Sequence, residues 1–168
     1  MSITNFPFVP SGDLLSKYTN GDKRETLWFN ANGSISKRAQ KSGWGPNRTI
    51  RISEAYLNRA EALVLSQNAN IGEALADLNE LRRHRIVGYQ DISISDATIL
   101  LGEIRVERRL ELCFDGHRWF DLRRYGMPSI SHDYKLKKND AWVTYVLKEK
   151  DPLYTLPIPR AVILNNVK

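Results

Sequence analysis

The chain has 168 residues, 42% of them hydrophobic and 26% charged, which suits a single globular fold with a core of its own. No window of about 18 apolar residues occurs, which excludes a membrane-spanning helix, and the lone cysteine, Cys113, excludes an internal disulfide. The formal net charge of +6 invites a nucleic-acid reading, but the arginines alternate with carboxylates over residues 105–111 and surround Asp121, so no nucleic-acid partner is expected.

Residues 1–10 show neither the basic start nor the apolar run of a secretory signal. Residues 1–50 read as an irregular segment packing on the helices that follow. Turn chemistry fills it, in Thr19-Asn20-Gly21-Asp22 and in Asn30-Ala31-Asn32-Gly33-Ser34. One short helix is predicted over 11–18, with Ser11 or Asp13 at its cap. The loop Gly43-Trp44-Gly45-Pro46-Asn47 lacks the Lys-Ser/Thr pair of a phosphate-binding loop. Trp28 and Trp44 stand in polar surroundings outside any periodic segment. Flat surface rings suit the C–H faces of sugars, which makes these two the candidate ligand contacts. The plainer reading is that each lies on the helices as a lid.

From residue 51 the pattern turns helical. Ile52, Tyr56, Ala60, Leu63 and Val64 recur on one apolar face. Asn68-Ala69-Asn70 breaks that helix, and a second runs from near Gly72 to Arg85 with Leu75, Leu78 and Leu81 on one side. The short link predicts antiparallel packing. A third helix starts at Asp96, a good N-cap, and reaches Phe114, with Cys113 as a buried structural thiol. Asp115-Gly116 closes it, and a short fourth helix covers 117–125 before Gly126-Met127-Pro128 ends it. Beyond Pro128, residues 142–147 are β-prone, with 153–158 extended beside them; Pro157 and Pro159 exclude a central strand. The expected fold is all-α: tetratricopeptide-like helical hairpins over 51–168, an extended tail, long irregular flanks and a minor β-hairpin near the C-terminus. No clean repeat of about 34 residues accompanies it.

The chemistry-bearing residues argue against a catalyst. His84, His117 and His132 have no metal-ligand spacing and no cysteine company, so neither a metal nor a cofactor is expected. His132-Asp133 has no nucleophile motif near it and reads as a loop pair. The odd feature is charge on apolar faces. About 100° of rotation per residue places Glu103, Glu107 and Glu111 in the arc of Leu100, Ile104, Leu110 and Phe114, and Arg82 interrupts the face of Leu75, Leu78 and Leu81. Paired carboxylates serve glycoside hydrolysis when they face each other across a cleft. Three on one helix give no opposed pair, and arginines are abundant, so the charges read as a structural network of Arg82, Glu107, Glu111, Arg118 and Asp121. Arg82 is expected to bond Glu107 or Glu111, and Arg82→Ala to destabilise by about 3–5 kcal/mol through the stranded carboxylates.

Four segments together resemble a known family. Arg51-Ile52-Ser53-Glu54-Ala55-Tyr56-Leu57-Asn58-Arg59-Ala60-Glu61-Ala62 is similar to the first helix motif of the SusD/RagB C-terminal region, and Leu78-Asn79-Glu80-Leu81-Arg82 to its second. Glu107-Arg108-Arg109-Leu110-Glu111-Leu112, followed by Phe114-Asp115-Gly116-His117-Arg118-Trp119-Phe120-Asp121-Leu122-Arg123-Arg124, resembles its most distinctive block, with Asp115 where the family usually has glutamate. Leu156-Pro157-Ile158-Pro159 is similar to its ending, and Asp22-Lys23-Arg24 to the stretch before the first motif. The resemblance implies a non-enzymatic, helical component of Bacteroidetes nutrient uptake. It implies an outward-facing outer-membrane lipoprotein, whose lipid-bearing cysteine and N-terminal helix pairs would precede Met1. Such a protein captures an oligosaccharide, in some members a peptide, for a SusC-like TonB-dependent transporter. The alternative is a helical protein–protein scaffold without a ligand of its own.

Overall fold

The structure, a computed structural model, describes residues 10–29, 51–135 and 140–165. The chain divides into two compact units, one ending at Gly116 and the other beginning at His117.

Among the described residues, the helices of the first unit are α1 (Gly12–Leu15), α2 (Lys23–Trp28), α3 (Ile52–Leu65), α4 (Ile71–Arg85) and α5 (Ala97–Glu111). Short polar side chains start most of them by accepting otherwise unpaired backbone N–H groups. Ser11 does this for Leu14, Asp22 for Arg24, Asn70 for Glu73 and Asp96 for Ile99. Asn70 also donates through Nδ2 to Glu73 Oε2 at 3.0 Å, so cap and third residue bond reciprocally. Helix α3 packs on both α4 and α5. Leu57, Ala60, Val64, Ala74, Leu78, Leu81, Leu100 and Ile104 form the core between them. A second apolar cluster gathers Leu14, Tyr18, Phe29, Leu110 and Cys113. There Tyr18 donates its hydroxyl proton to the Leu110 carbonyl at 3.0 Å, and the buried Cys113 thiol lies 3.5 Å from the same hydroxyl.

The mostly helical architecture agrees with the sequence reading, while local expectations in the first unit are corrected. The inward face of α3 carries Ser53, Leu57, Ala60, Glu61 and Val64, and Ile52 is exposed. Two polar residues on the buried side misdirect a reading by hydropathy: Ser53 and Glu61 face in because each has a partner on α5. Helix α5 ends at Glu111; Phe114 has φ 63 and is exposed, because the chain leaves the helix through a left-handed turn completed by Gly116. A six-residue helix, α2, stands inside the stretch that composition marks as irregular.

In the second unit, helix α6 (Arg118–Arg124) leads into strands β1 (Ile130–Tyr134) and β2 (Val143–Leu147), a 3₁₀ turn (Pro152–Tyr154) and α7 (Arg160–Asn165). Strand β2 pairs antiparallel with β1, Tyr134 opposite Val143 and Ile130 opposite Leu147, and not with residues 153–158. The proline at the start of the 3₁₀ turn and the Asp151 cap, which accepts the Leu153 N–H, hold that stretch out of a strand. Tyr154 is fully buried, stacks on Trp119 at 5.1 Å and donates its hydroxyl proton to the Pro128 carbonyl.

One turn ties α2 to the end of α4. Asp22 forms an antiparallel bridge with Ile86, and the Val87 N–H donates to the Gly21 carbonyl at 2.9 Å. Gly21 has φ +87, and a Cβ there would sit 3.3 Å from the Val87 carbonyl oxygen. Gly88 shares the left-handed backbone at φ +68 but has open space around it. Gly88→Ala should therefore cost about 1 kcal/mol of backbone strain. Gly21→Ala should cost more, about 2–3 kcal/mol, since strain and contact combine. Urea unfolding of both variants checks the order; equal losses would show that the Val87 contact is immaterial.

Candidate functional site

Six charged side chains of the first unit form an alternating row of anions and cations. Helix α5 presents Glu103, Glu107 and Glu111 one turn apart, and the last turn of α4 presents Arg82 and Arg85. Arg82 donates through Nη2 to Glu103 Oε2 at 2.7 Å and through Nε to Glu107 Oε2 at 2.8 Å. Arg24 of α2 donates through Nη1 to Glu107 Oε1 at 2.6 Å and to Glu111 Oε2 at 3.0 Å. Arg85 closes the series on Glu111, with Nε to Oε2 at 2.9 Å and Nη2 to Oε1 at 2.8 Å. The order is Glu103, Arg82, Glu107, Arg24, Glu111, Arg85. Asp22 holds the far side of the Arg24 fork, receiving Nε at 3.0 Å and Nη2 at 2.7 Å. Arg24 is 2% exposed, and Asp22, Glu107 and Glu111 are buried with it.

This arrangement makes Glu111 a strong carboxylate. Burial alone would push its carboxyl up. The hydrogen bonds and charge of Arg85, the charge of Arg24 and the Ser53 hydroxyl outweigh that and lower it from 4.5 to about 2. A general acid needs the opposite shift. What the cluster does chemically is lock α2, α4 and α5 in one register.

Of the residues the sequence singles out, Arg82, Glu107 and Glu111 meet in this cluster, Arg82 directly on Glu107. Arg118 and Asp121 belong to the second unit, where Asp121 is buried and receives Arg124 Nε at 3.0 Å. Trp28 is half-buried. The guanidinium carbons of Arg24 and Arg51 lie 5.9 Å and 6.0 Å from its ring centroid, a cation–π spacing. Trp44 lies outside the described residues. The central residue that sequence reasoning missed is Arg24. Its signal was present but faint: an Asp two positions earlier, fit both to cap a helix and to bond the guanidinium. Arg85 was missed too, although it stands one turn beyond Arg82. Among the described residues, no group of three or more His, Cys, Asp or Glu side chains could hold a metal ion. Among them, too, no helix is long and apolar enough to cross a membrane.

Two measurements test the cluster. Arg24→Ala should destabilise by about 3–5 kcal/mol, because it takes the guanidinium from buried Asp22 and one of two arginines from each of buried Glu107 and Glu111. Arg82→Ala should cost less than that, since Glu107 keeps Arg24 and Glu103 is only partly buried; urea melts that reverse this order would overturn the account. The second test is acid. Unfolded Glu111 titrates near 4.5 and folded Glu111 near 2, so its contribution is complete above about pH 5 and disappears as pH falls towards 2. The shift is worth roughly 3 kcal/mol. The acid-induced loss of stability in Glu111→Gln, which cannot titrate, should be smaller than in the wild type by about that amount. Equal losses would place the acid sensitivity elsewhere.

The SusD family model matches residues 10–168. Among curated proteins none matches the chain. A SusD-like carbohydrate binding protein from Bacteroides vulgatus ATCC 8482 is similar in structure, with TM-score 0.61 and 20% identity over 95% of this chain and 40% of its own. A SusD-like protein from Bacteroides fragilis NCTC 9343 matches at TM-score 0.48 and 28% identity, over 67% of this chain and 23% of its own. The chain thus spans less than half the length of either structure. With its helical hairpins and a family match running from Pro10 to the last residue, the chain belongs to the SusD family.

Proposed function

We propose that this chain is part of a cell-surface glycan-binding protein, one that captures an oligosaccharide at the outer membrane for import through a SusC-like TonB-dependent transporter. The observation that carries the proposal is the family match over residues 10–168. The similar Bacteroides vulgatus structure, described as carbohydrate binding, supports it. The proposal includes no catalytic step. The two carboxylates best placed to suggest one, Glu107 and Glu111, are buried and each is held by two arginines. Membrane attachment is assigned to an N-terminal lipid anchor on the longer protein.

Trp28 and Trp44 are the proposed ring contacts to sugar. Trp28 is half-buried and so keeps part of its surface open, beside the Arg24 and Arg51 guanidinium groups. Calorimetric titration of the chain with uncharged hexa- and heptasaccharides should give saturable heat. Trp28→Ala and Trp44→Ala should each weaken the binding several-fold, roughly three- to tenfold per ring. Wild-type affinity in both variants would remove these rings from the site.

A second reading, a protein–protein scaffold without a ligand, is favoured by one observation. Leu153, Leu156, Ile158, Val162, Ile163 and Leu164 in the second unit are all exposed, more apolar surface in one stretch than a free-standing fold usually shows. Co-purification with the transporter but no heat with any sugar would favour that reading over capture.

A further inference from the structure

The β1–β2 hairpin carries its aromatic side chains outward. Neither strand has a buried residue; both faces are open except near the base. Register and alternation divide the side chains. Ile130, His132, Tyr134, Val143, Tyr145 and Leu147 share one face. Ser131, Asp133, Thr144 and Val146 share the other, and Lys135 and Trp142 continue it beyond the last pair. Tyr134 and Tyr145 satisfy each other edge to face, with centroids 5.6 Å apart. Trp142 has no aromatic neighbour among the ring contacts of the described residues. The Lys135 ammonium sits 4.7 Å from its ring centroid, and the residue is 62% exposed.

That setting has the parts of a sugar subsite. Lys135 covers one face of the indole and fixes its orientation, which leaves the opposite face to solvent and lowers the ordering cost of stacking. Beside it on the same face, Thr144 donates to Asp133 Oδ1 at 2.6 Å, so a hydroxyl and a carboxylate are held ready next to the ring. Among the described residues, Lys135 and Asp133 set opposite charges on the indole's face of the hairpin, which favours neither an anionic nor a cationic ligand. A nucleic acid or an acidic peptide would want the lysine without the aspartate, and an apolar helix would want neither. A hydroxyl-rich, uncharged ring with one apolar C–H face matches all three groups.

We propose that Trp142 is the stacking platform of a subsite for an uncharged oligosaccharide, with Asp133, Thr144 and Lys135 taking hydroxyls at its rim. The proposal rests on the glycan-capture reading and adds to it a site in the second unit. Its test uses the whole chain and the same uncharged hexa- and heptasaccharides, in α-glucan, β-glucan, mannan and fructan series. The indole N–H resonance of Trp142, assigned by its loss in Trp142→Phe, is followed during titration. On binding, this resonance should shift. Trp142→Ala should weaken affinity about tenfold, and Trp142→Phe, which keeps a ring, by less. Tyr145→Ala, on the opposite face, should bind like the wild type. If a sugar binds while the Trp142 resonance stays put and Trp142→Ala retains affinity, the subsite is overturned and capture stands. If Tyr145→Ala loses as much as Trp142→Ala, the loss reports hairpin folding and the subsite is again overturned. If no sugar in the four series binds the wild type, capture by this chain and the subsite fall together.

Discussion

Arg24 reaches three carboxylates from three different places in the chain: Asp22 beside it, and Glu107 and Glu111 more than eighty positions later. Desolvating a guanidinium is expensive, and only a full set of partners offsets the cost. Its planar fork takes Asp22 along one edge and leaves Nη1 to bridge the two glutamates. Each glutamate then has its remaining capacity filled from α4, by Arg82 or Arg85. The consequence is geometric. Apolar faces such as Leu78 against Ile104 tolerate sliding by a turn, whereas an alternating row of ions does not. A one-turn slip of α4 along α5 would set Arg82 on the wrong glutamate and leave Glu103 or Glu111 exposed to loss of its partner. The cluster therefore fixes register more than it adds stability, a role that buried ion pairs hold where smooth cores leave alternatives open.

The seam between α3 and α5 follows the same plan with fewer charges. Ser53 bonds Glu111, Asn58 receives Arg108 Nη1 at 2.7 Å, and Glu61 meets Arg105 at 3.3 Å. Asn79 does for the link after α4 what these do for the helices. Its amide donates to the Ile92 carbonyl, and its carbonyl oxygen receives the Tyr89 hydroxyl and the Ile92 N–H. Asn58, Asn79, Arg82, Glu107, Arg108 and Glu111 all sit in the segments by which the sequence resembles its family. Those segments are thus a record of polar contacts between helices. They identify a fold, and they carry no instruction about a ligand.

This explains which parts of the structure were legible in the sequence. The long helices α3, α4 and α5 were readable from periodicity, and two helix starts from Ser11 and Asp96, because capping is decided within four residues. The orientation of α3 was not, since hydropathy assumes that the buried side is the apolar side, and here Ser53 and Glu61 are inward. The pairing of Arg82 with α5 could be reasoned from two interrupted faces. Arg24 could not, because α2 has no apolar face whose interruption would mark it. The partner of β2 was misjudged for a related reason. Residues 153–158 offer apolar side chains, but pairing also needs backbone donors; Pro157 removes one within the stretch, and Pro152 and Pro159 remove those on either side of it. Ser131 and Asp133, alternating with Ile130, His132 and Tyr134, carried the better strand signal.

The same contrast separates structure from recognition. Where charge serves the fold it is buried, paired twice over and set against helices: Glu111 is held near 2, beyond the reach of any physiological proton transfer. Where polar groups could serve a ligand, they are exposed, only partly satisfied and next to a ring, as Asp133 and Thr144 are beside Trp142. A group already saturated by arginines has nothing left to offer a sugar hydroxyl. A ring stacked against two guanidinium groups, like Trp28, has less free surface than one with a single lysine on one side. On the proposed reading, the capacity to take a ligand therefore rises as internal commitment falls. The recognition proposed for this chain then rests on the side chains that the fold itself can spare.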